Sequence, residues 1–337
     1  MKIYNSHDYI INMAKNNSPL LHFNAGDDLE SWQKQARVKL SELLGLDNFE
    51  KCDDLFKITA EEQTEEYKKI SFEFQSEKNY FVPAVMLIPN NAAKPIPAAI
   101  CLQGHSSGMH ISLGSEKFEG DSISIAGGRD FAARAAKEGC CAIAIDQRYM
   151  GAAGQDEKGS PACISANESM PALLFGRCAI GERVFDIQRL IDIIKTHFKH
   201  VINGEIICMG NSGGGTAAFY ASCVDERITL SMPSCAVCTY EDSIMAMYHC
   251  PCNFVPGIRK YFNMGDLGCL IAPRKLVLVC GINDPIFPLK GVAESFDIIK
   301  GAYKSAGMES VCRIVKGNGG HQFYPDDAWP IVHELLD

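Results

Sequence analysis

Apolar residues along this chain recur with two different periods. Runs that are apolar throughout or at alternate positions predict strands, and apolar residues three and four positions apart predict helices. The predicted strands cover residues 69–74, 80–88, 98–102, 140–145, 206–209, 228–232, 275–279 and 310–315. The predicted helices cover residues 27–45, 131–138, 182–196, 292–306 and 325–336. Strands alternate with helices beyond residue 98, which predicts an α/β fold with a mostly parallel central sheet and helices on both faces.

The N-terminal part of the chain follows a different pattern. The helix at 27–45 is expected to begin with a cap formed by Asp27 and Glu30. The acidic stretch 47–66 is expected to be irregular or a short helix. The first two strands are joined by a polar turn at 76–79 and predict an antiparallel pair.

The composition is that of a globular protein, with 337 residues of which 47% are hydrophobic and 22% charged. The net charge is −9 and there is no basic block, so neither nucleic acid nor a membrane is an expected partner. No run approaches the roughly 18 apolar residues of a membrane span. The 15 cysteines are odd in number, and many lie in apolar runs, as Cys101 and Cys208 do. They predict a reducing compartment and therefore a cytoplasmic location.

The pentapeptide Gly210-Asn211-Ser212-Gly213-Gly214 follows the apolar run 206–209 and precedes a helix-like stretch. A strand that turns directly into a helix brings the flanking residues into contact, and glycine at those positions removes the clash. The serine at the apex can then adopt a strained backbone conformation that exposes its hydroxyl above the sheet. Ser212 is therefore predicted to be a nucleophile.

An activated serine needs a base, and the base needs an acid that orients it. Asp284 directly follows a predicted strand, and His321 follows the last strand in a glycine-rich loop. The carboxyl ends of parallel strands share one edge of a sheet, so we expect both side chains near Ser212. Glu241 and Asp242, which follow an earlier strand, are the rival positions for the acid.

Acyl transfer by a serine also needs two backbone N–H groups where negative charge develops. One is expected from Gly213, the residue after the nucleophile. The other is expected from the backbone of His105, in the loop after the strand at 98–102. These two N–H groups would form an oxyanion hole.

Residues 80–330 resemble the α/β-hydrolase superfamily, and within it the acetyl xylan esterases and cephalosporin-C deacetylases, near the dienelactone hydrolases. The motifs that carry the resemblance are Leu102-Gln103-Gly104-His105, Asp146-Gln147-Arg148, Gly210-Asn211-Ser212-Gly213-Gly214, Asp284-Pro285-Ile286-Phe287-Pro288 and Gly320-His321. The resemblance implies an α/β-hydrolase fold, a triad of Ser212, Asp284 and His321, and short acyl groups on sugars as substrates. Gln103 stands where the family usually has histidine.

The pattern of predicted elements also divides the chain. Residues 1–66 are expected to form an N-terminal helical extension that packs on the core. Residues 67–337 are expected to form the catalytic domain, with an insertion at 233–271 that acts as a lid or pocket wall. Gln103, Tyr248 and His249 are predicted to bind substrate. The polar and aromatic side chains of the insertion suit a sugar-like alcohol; they are Tyr240, Tyr248, His249, Asn253 and Tyr261.

The segment His249-Cys250-Pro251-Cys252, with Cys235 and Cys238 nearby, is a candidate for metal binding. Its spacing matches none of the common zinc patterns, so no metal and no other cofactor is expected.

A long loop at 147–171 is expected to have a functional role. Arg148 at its start is expected to pair with an acid that holds this loop. Arg183 and Asp186, on the helix that follows, are expected to pair with each other.

Together these features predict a serine hydrolase that cleaves small carboxylic esters, acetyl esters above longer ones, through an acyl-enzyme. The alternatives are a peptidase or amidase of the prolyl-oligopeptidase type and a binding protein on a hydrolase fold. A small-molecule ester is the expected partner, and the chain could also form a homo-oligomer.

Overall fold

One mixed sheet organises the molecule. The computed structural model describes residues 3–93, 95–154 and 168–337. The strands are β1 Phe56–Gln63, β2 Tyr67–Glu77, β3 Tyr80–Pro89, β4 Ile96–Leu102, β5 Cys141–Ile145, β6 Ile202–Asn211, β7 Leu230–Ser234, β8 Lys275–Gly281 and β9 Cys312–Gly317. They form a nine-stranded sheet in the order β1-β2-β3-β5-β4-β6-β7-β8-β9. The strands from β4 to β9 are parallel and the others antiparallel, which confirms the predicted mostly parallel sheet.

Helices connect the strands and cover both faces of the sheet. They are α1 Ser6–Asn16, α2 Leu29–Leu43, α3 Asp121–Ser124, α4 Phe131–Lys137, α5 Met170–Leu173, α6 Ala179–His197, α7 Gly213–Val224, α8 Ile258–Tyr261, α9 Met264–Cys269, α10 Leu289–Ser305 and α11 Pro325–Leu336. Short 3-10 turns occur at Leu46–Asn48, Gly151–Ala153, Pro251–Asn253 and Glu309–Val311, and Ile125–Arg129 forms a π-turn. In the part of the chain that is described, no helix has the length and apolar character needed to cross a membrane.

The apolar core lies in two layers, one on each face of the sheet. The larger layer packs the sheet against α2, α6, α7 and α10, and includes Leu40, Ile187 and Ile299. The smaller layer packs it against α4 and α11, and includes Phe131 and Trp329. All five side chains are almost fully buried. Because both faces are covered, the central strands are apolar throughout rather than alternating.

The N-terminal extension differs from its prediction. Residues 56–63 form β1, which pairs antiparallel with β2, so the expectation of an irregular or short-helical stretch at 47–66 is wrong. This strand lies at the edge of the sheet, and nearly all of its side chains are exposed. Phe56, Ile58 and Ala60 alternate with polar residues, but this pattern is short and is followed by an acidic stretch. Pairing with β2 decides the conformation of the segment.

The predicted antiparallel pair is confirmed as β2 and β3. The predicted helix at 27–45 is confirmed as α2, but its cap is not the expected one. The N-cap is Asp28, whose side chain accepts a hydrogen bond from the Ser31 N–H at 2.9 Å. Asp27 instead accepts from the Asn24 N–H at 2.8 Å, so the cap lies one residue later than predicted.

The insertion at 233–271 is mostly part of the core. Its residues Phe262 and Leu267 are fully buried. The N-terminal segment docks on it, because the N–H groups of Leu20 and Leu21 donate to the carbonyls of Lys260 and Tyr261. Its first residues, through Cys235, and its middle part, through His249, approach the carboxyl edge of the sheet.

Candidate active site

Ser212 lies at a sharp turn between β6 and α7. Its φ and ψ are 55° and −124°, a conformation that is strained for any residue with a side chain. The glycines of the motif are sterically required. A Cβ on Gly214 would lie 2.2 Å from the Leu102 carbonyl oxygen, and one on Gly210 would lie 2.6 Å from the same atom. This close packing of β4, β6 and α7 presents Ser212 at the carboxyl edge of the sheet.

Asp284 and His321 are paired at the same edge. His321 Nδ1 lies 2.8 Å from Asp284 Oδ2. The other carboxylate oxygen, Oδ1, accepts from the N–H groups of Ile286 at 2.8 Å and Phe287 at 3.1 Å. Burial alone would raise the pKa of Asp284, but the hydrogen bond from His321, its charge and the two backbone donors outweigh it and lower that pKa. The acid is therefore ionised and holds the imidazole from one side.

Phe287 and nearby glycines fix the position of the His321 ring. The two rings stack with centroids 5.9 Å apart and planes 13° from parallel. A Cβ on Gly281 would lie 2.0 Å from the Gly320 carbonyl oxygen, so the loops after β8 and β9 approach too closely for any larger residue. With Nδ1 bound to Asp284, the Nε2 atom of His321 is left for another partner. Between the described residues no hydrogen bond joins Ser212 and His321, and such bonds often tighten only when substrate binds.

The loop after β4 lies directly beside the nucleophile. A Cβ on Gly104 would lie 2.8 Å from the Asn211 carbonyl oxygen and 3.2 Å from the Ser212 Cβ. The His105 ring packs against Gly213, where an added Cβ would lie 3.1 Å from the ring Cε1. The two residues predicted to supply oxyanion N–H groups are thus neighbours.

A family comparison adds to this geometry. A model of the Abhydrolase family matches residues 3–315. The chain belongs to the Abhydrolase family. Its nine-stranded sheet and the sharp turn at Ser212 are those of an α/β-hydrolase fold.

Similar proteins include hydrolases and esterases. The Bacillus subtilis (strain 168) protein YtaP, provisionally named a hydrolase, is 25% identical over 243 residues, which are 71% of this chain and 77% of YtaP. A Bacteroides fragilis NCTC 9343 structure, provisionally named an acetyl xylan esterase, is 20% identical with a TM-score of 0.80 and covers 99% of this chain and 96% of its own. A glucuronoyl esterase from Solibacter usitatus is 13% identical with a TM-score of 0.68, over 95% and 96% of the two chains. These structural likenesses establish the fold.

The three residues predicted to bind substrate lie in different surroundings in this Abhydrolase-family protein. Gln103 is buried, and its Nε2 donates to the Arg129 carbonyl at 2.9 Å. Tyr248 is 91% exposed. His249 is half-buried and packs edge-to-face on Phe287, with ring centroids 6.1 Å apart. His249 and His321 therefore both pack against the Phe287 ring. Of the three residues predicted to bind substrate, His249 is the one that lies beside the Asp284–His321 pair.

Burial and neighbouring histidines keep His249 neutral. Burial first, and then the charges of His105 and His321, lower the pKa of His249 to about 4. Its Nδ1 lies 3.0 Å from the Asn253 amide nitrogen.

Two aromatic residues of the insertion are placed elsewhere. Tyr240 is buried against Tyr220, and Tyr261 lies under the Lys39 ammonium, so the expectation that these tyrosines suit the alcohol site is wrong.

The loop next to the nucleophile is held by buried polar side chains. Asp146 Oδ1 accepts from the Met109 N–H at 2.7 Å, and Oδ2 accepts from the Ala152 N–H at 3.0 Å. Burial raises the pKa of Asp146, and these backbone donors offset part of that rise. Gln147 Nε2 donates to the Gln103 carbonyl. The Asp146-Gln147 motif thus braces the loops on either side of it.

Arg148 has the structural role that the sequence predicts. Its Nε and Nη2 donate to the two carboxylate oxygens of Asp186 at 2.9 and 2.8 Å, and Nη2 also lies 2.7 Å from a Glu77 oxygen. The predicted Arg183–Asp186 pair is wrong, because Arg183 donates to the Arg148 carbonyl instead.

Residues 155–167 of the loop predicted at 147–171 lie outside the described part of the chain.

The rival acids are engaged elsewhere. Glu241 pairs with Arg259 and accepts from the Asn263 amide at 2.8 Å. Asp242 lies 3.6 Å from the Lys290 ammonium. Neither contacts His321 in the described structure.

Two residues beside the site were missed by sequence reasoning. The Cys235 Sγ, the Asp284 carboxylate and a His321 ring nitrogen lie within 4.8 Å of one another. Burial, followed by the Asp284 charge, raises the pKa of the Cys235 thiol to about 12, so the thiol is protonated and is not a rival nucleophile. Arg129 precedes α4, and burial lowers the pKa of its guanidinium. Cys235 directly follows β7, and only the sheet order brings it to this edge.

Proposed function

We propose that this protein is a serine hydrolase that cleaves small carboxylic esters, with Ser212 as nucleophile, His321 as base and Asp284 as the acid that orients the base. The observation that carries the proposal is the shared position of these groups. Ser212 projects from a strained turn at the edge of the sheet where an ionised Asp284 holds the His321 ring by one nitrogen. A hydroxyl, a base and an orienting carboxylate in this arrangement perform acyl transfer.

The proposed reaction assigns one step to each of these groups. His321 Nε2 accepts the Ser212 proton as the serine oxygen attacks the ester carbonyl, and Asp284 stabilises the imidazolium that forms. The N–H groups of Gly213 and His105 donate to the oxyanion of the tetrahedral intermediate. His321 then returns the proton to the leaving alcohol, which leaves an acyl group on Ser212. Water, activated by the same imidazole, hydrolyses this acyl-enzyme, and the cycle needs no cofactor.

The proposed substrates are acetyl or similarly short acyl esters of a sugar or another small polar alcohol. Two observations support this. The insertion packs into the core through Phe262 and Leu267 rather than forming a broad apolar cover. The neutral His249 beside Phe287 offers a polar group next to His321 for a hydroxylated alcohol. The similar structures named as an acetyl xylan esterase and a glucuronoyl esterase agree with a sugar ester.

Covalent labelling tests the nucleophile directly. A fluorophosphonate reacts with an activated serine, so we expect one adduct on the wild-type protein, mapped to Ser212 by mass spectrometry. The S212A variant should take up no label. An adduct on a cysteine, or equal labelling of the S212A variant, would contradict the proposal. No labelling of a folded wild-type protein would favour the binding-protein alternative.

Comparison of esters with amides separates the proposal from a peptidase. The similar structures named as an acetyl xylan esterase and a glucuronoyl esterase both carry an ester-cleaving name. We therefore expect hydrolysis of acetyl esters and little hydrolysis of peptide amides. Equal kcat/KM on both would favour the peptidase.

A further inference from the structure

A cluster of one histidine and two cysteines lies beside Gly213. His105 Nε2 is 3.2 Å from the Cys252 Sγ. The ligand atoms of His105, Cys250 and Cys252 all lie within 4.8 Å of one another. The histidine comes from the loop after β4 and the cysteines from the insertion, so the fold brings together residues 147 positions apart in the chain.

These distances are compatible with a metal site. In tetrahedral zinc sites the metal–sulfur and metal–nitrogen bonds place neighbouring ligand atoms about 3.5–3.8 Å apart. The His105–Cys252 separation is 3.2 Å and the other two are at most 4.8 Å. Shifts of about 1 Å or less would therefore let the three side chains share one ion. Two thiolates and an imidazole form a soft ligand set that suits zinc or Cu(I) rather than magnesium or calcium.

We propose that His105, Cys250 and Cys252 bind one zinc ion. Zinc would displace the two thiol protons, so that two thiolates and Zn²⁺ make a site without net charge. No oxidation or reduction is involved.

A buried arginine gives the site an outer contact. The Arg183 Nη1 lies 3.6 Å from the Cys252 Sγ, and Arg183 is 1% exposed. Its Nε and Nη2 are fixed by the Arg148 carbonyl at 3.2 and 3.1 Å. An N–H donor to a metal-bound sulfur is a typical outer-shell interaction that orients the ligand. Cys252 is thus already held in position before any ion binds.

An ion at this position would link two loops beside the nucleophile. It would join the turn at Pro251–Asn253 to the loop that carries His105, and the His105 ring packs against Gly213. Bound zinc would therefore stiffen the loop beside the nucleophile. It takes no part in the acyl transfer described above, and its presence is measured independently of that reaction.

The second His/Cys/Asp group of the described residues, Cys235 with Asp284 and His321, is a weaker candidate. Its histidine nitrogen Nδ1 is already bound to the Asp284 carboxylate at 2.8 Å. A metal there would have to break that pair. We therefore assign the ion to the His105–Cys250–Cys252 cluster.

Metal titration tests the proposal on the full chain. Reduced protein, first stripped by a chelator, should bind one equivalent of zinc in competition with a chromophoric chelator. Co²⁺ in place of zinc should produce thiolate-to-metal charge-transfer absorption. The C250S, C252S and H105Q variants should each bind zinc at least 100-fold more weakly. The C238S variant, altered in the same insertion but outside the cluster, should bind like the wild type.

Several results would overturn the proposal. One is a reduced wild-type protein that binds no zinc and shows no cobalt charge-transfer band. Another is equal zinc affinity in the wild type and C252S, both folded by circular dichroism. A third is a Cys250–Cys252 disulfide that persists after mild reduction. Fluorophosphonate labelling of Ser212 in the same samples shows whether the hydrolytic centre is intact, so failure of one proposal is distinguished from failure of the other.

Discussion

His321 Nδ1 lies 2.8 Å from Asp284 Oδ2, while the second oxygen of Asp284 is occupied by two backbone N–H groups. The carboxylate therefore cannot rotate without losing three hydrogen bonds. This arrangement fixes the imidazole tautomer with the proton on Nδ1 and leaves Nε2 as the basic nitrogen.

Replacing the acid by its amide should disable the base. In the D284N variant the amide NH₂ competes for the position that accepts the His321 proton, so the imidazole takes the wrong tautomer. We expect kcat to fall by about 10⁴ with the fold retained. D242N is the matched control, because Asp242 pairs with Lys290 and should leave kcat within a factor of about two. A D242N loss equal to that of D284N would reassign the acid.

Loss of the serine hydroxyl should abolish catalysis. We expect the S212A variant to lose a factor of about 10⁴ or more in kcat, because the three groups work as a unit. Steady-state kinetics on an acetyl ester, with circular dichroism to confirm folding, measures this. C235A is the control, since its protonated thiol lies beside the pair but takes no part in the reaction. A C235A variant as inactive as S212A would contradict the assignment.

The rate should depend on pH through the imidazole. His321 must be neutral to accept the serine proton, so kcat/KM should be low in acid and rise as the pH approaches neutrality. The lowered pKa of Asp284 keeps its carboxylate ionised over this range, so titration of that acid does not cause the rise. A kcat/KM measured as constant from acid to neutral pH, with chemistry rate-limiting, would rule out a histidine base.

Acyl-chain length should matter strongly. Each methylene that a small acyl pocket refuses changes transition-state binding by roughly 1–3 kcal/mol. We expect kcat/KM to decrease from acetyl to butyryl to octanoyl esters of one alcohol. A maximum at octanoyl would indicate a lipase-like enzyme and would refute the short-acyl proposal.

An ion pair between the N-terminal segment and the insertion should make stability depend on pH. His22 Nδ1 lies 2.8 Å from the buried Asp266, and that hydrogen bond raises the pKa of His22. A raised pKa in the folded state means that the stabilisation is complete below the unfolded value, about 6.5, and is lost as the pH rises through the folded value. The H22Q variant should therefore lower Tm more at pH 6 than at pH 9.

The size of this effect is limited because His22 is partly exposed. We expect a stability loss of about 1 kcal/mol or less at the lower pH. The exposed His7, whose ring Nε2 lies 2.8 Å from the Met245 carbonyl oxygen rather than from a carboxylate, is the control, and the H7Q variant should show no such pH dependence. An H22Q loss in Tm that is equal at both pH values would show that the pair contributes no charge interaction.

The sequence by itself determined the features of the fold and of the candidate site that depend on residues close together in the chain. The sequence predicts the turn around Ser212 because its glycines are needed by neighbours only a few residues away. A Cβ on Gly210 would lie 2.5 Å from the Gly214 carbonyl carbon. Asp284 and His321 could be predicted from the sequence because each follows an apolar strand, and the carboxyl ends of parallel strands lie at one edge of the sheet. Apolar periodicity likewise revealed the central strands, which are covered on both faces.

Tertiary structure decided what depends on distant partners. Strand β1 has almost no buried face, so only its pairing with β2 makes it a strand. Cys235 reaches the Asp284–His321 pair through the strand order, and His105 meets Cys252 because the insertion folds back over the loop after β4. No local pattern encodes such contacts, since their free energy comes from surfaces that meet only after the sheet has formed.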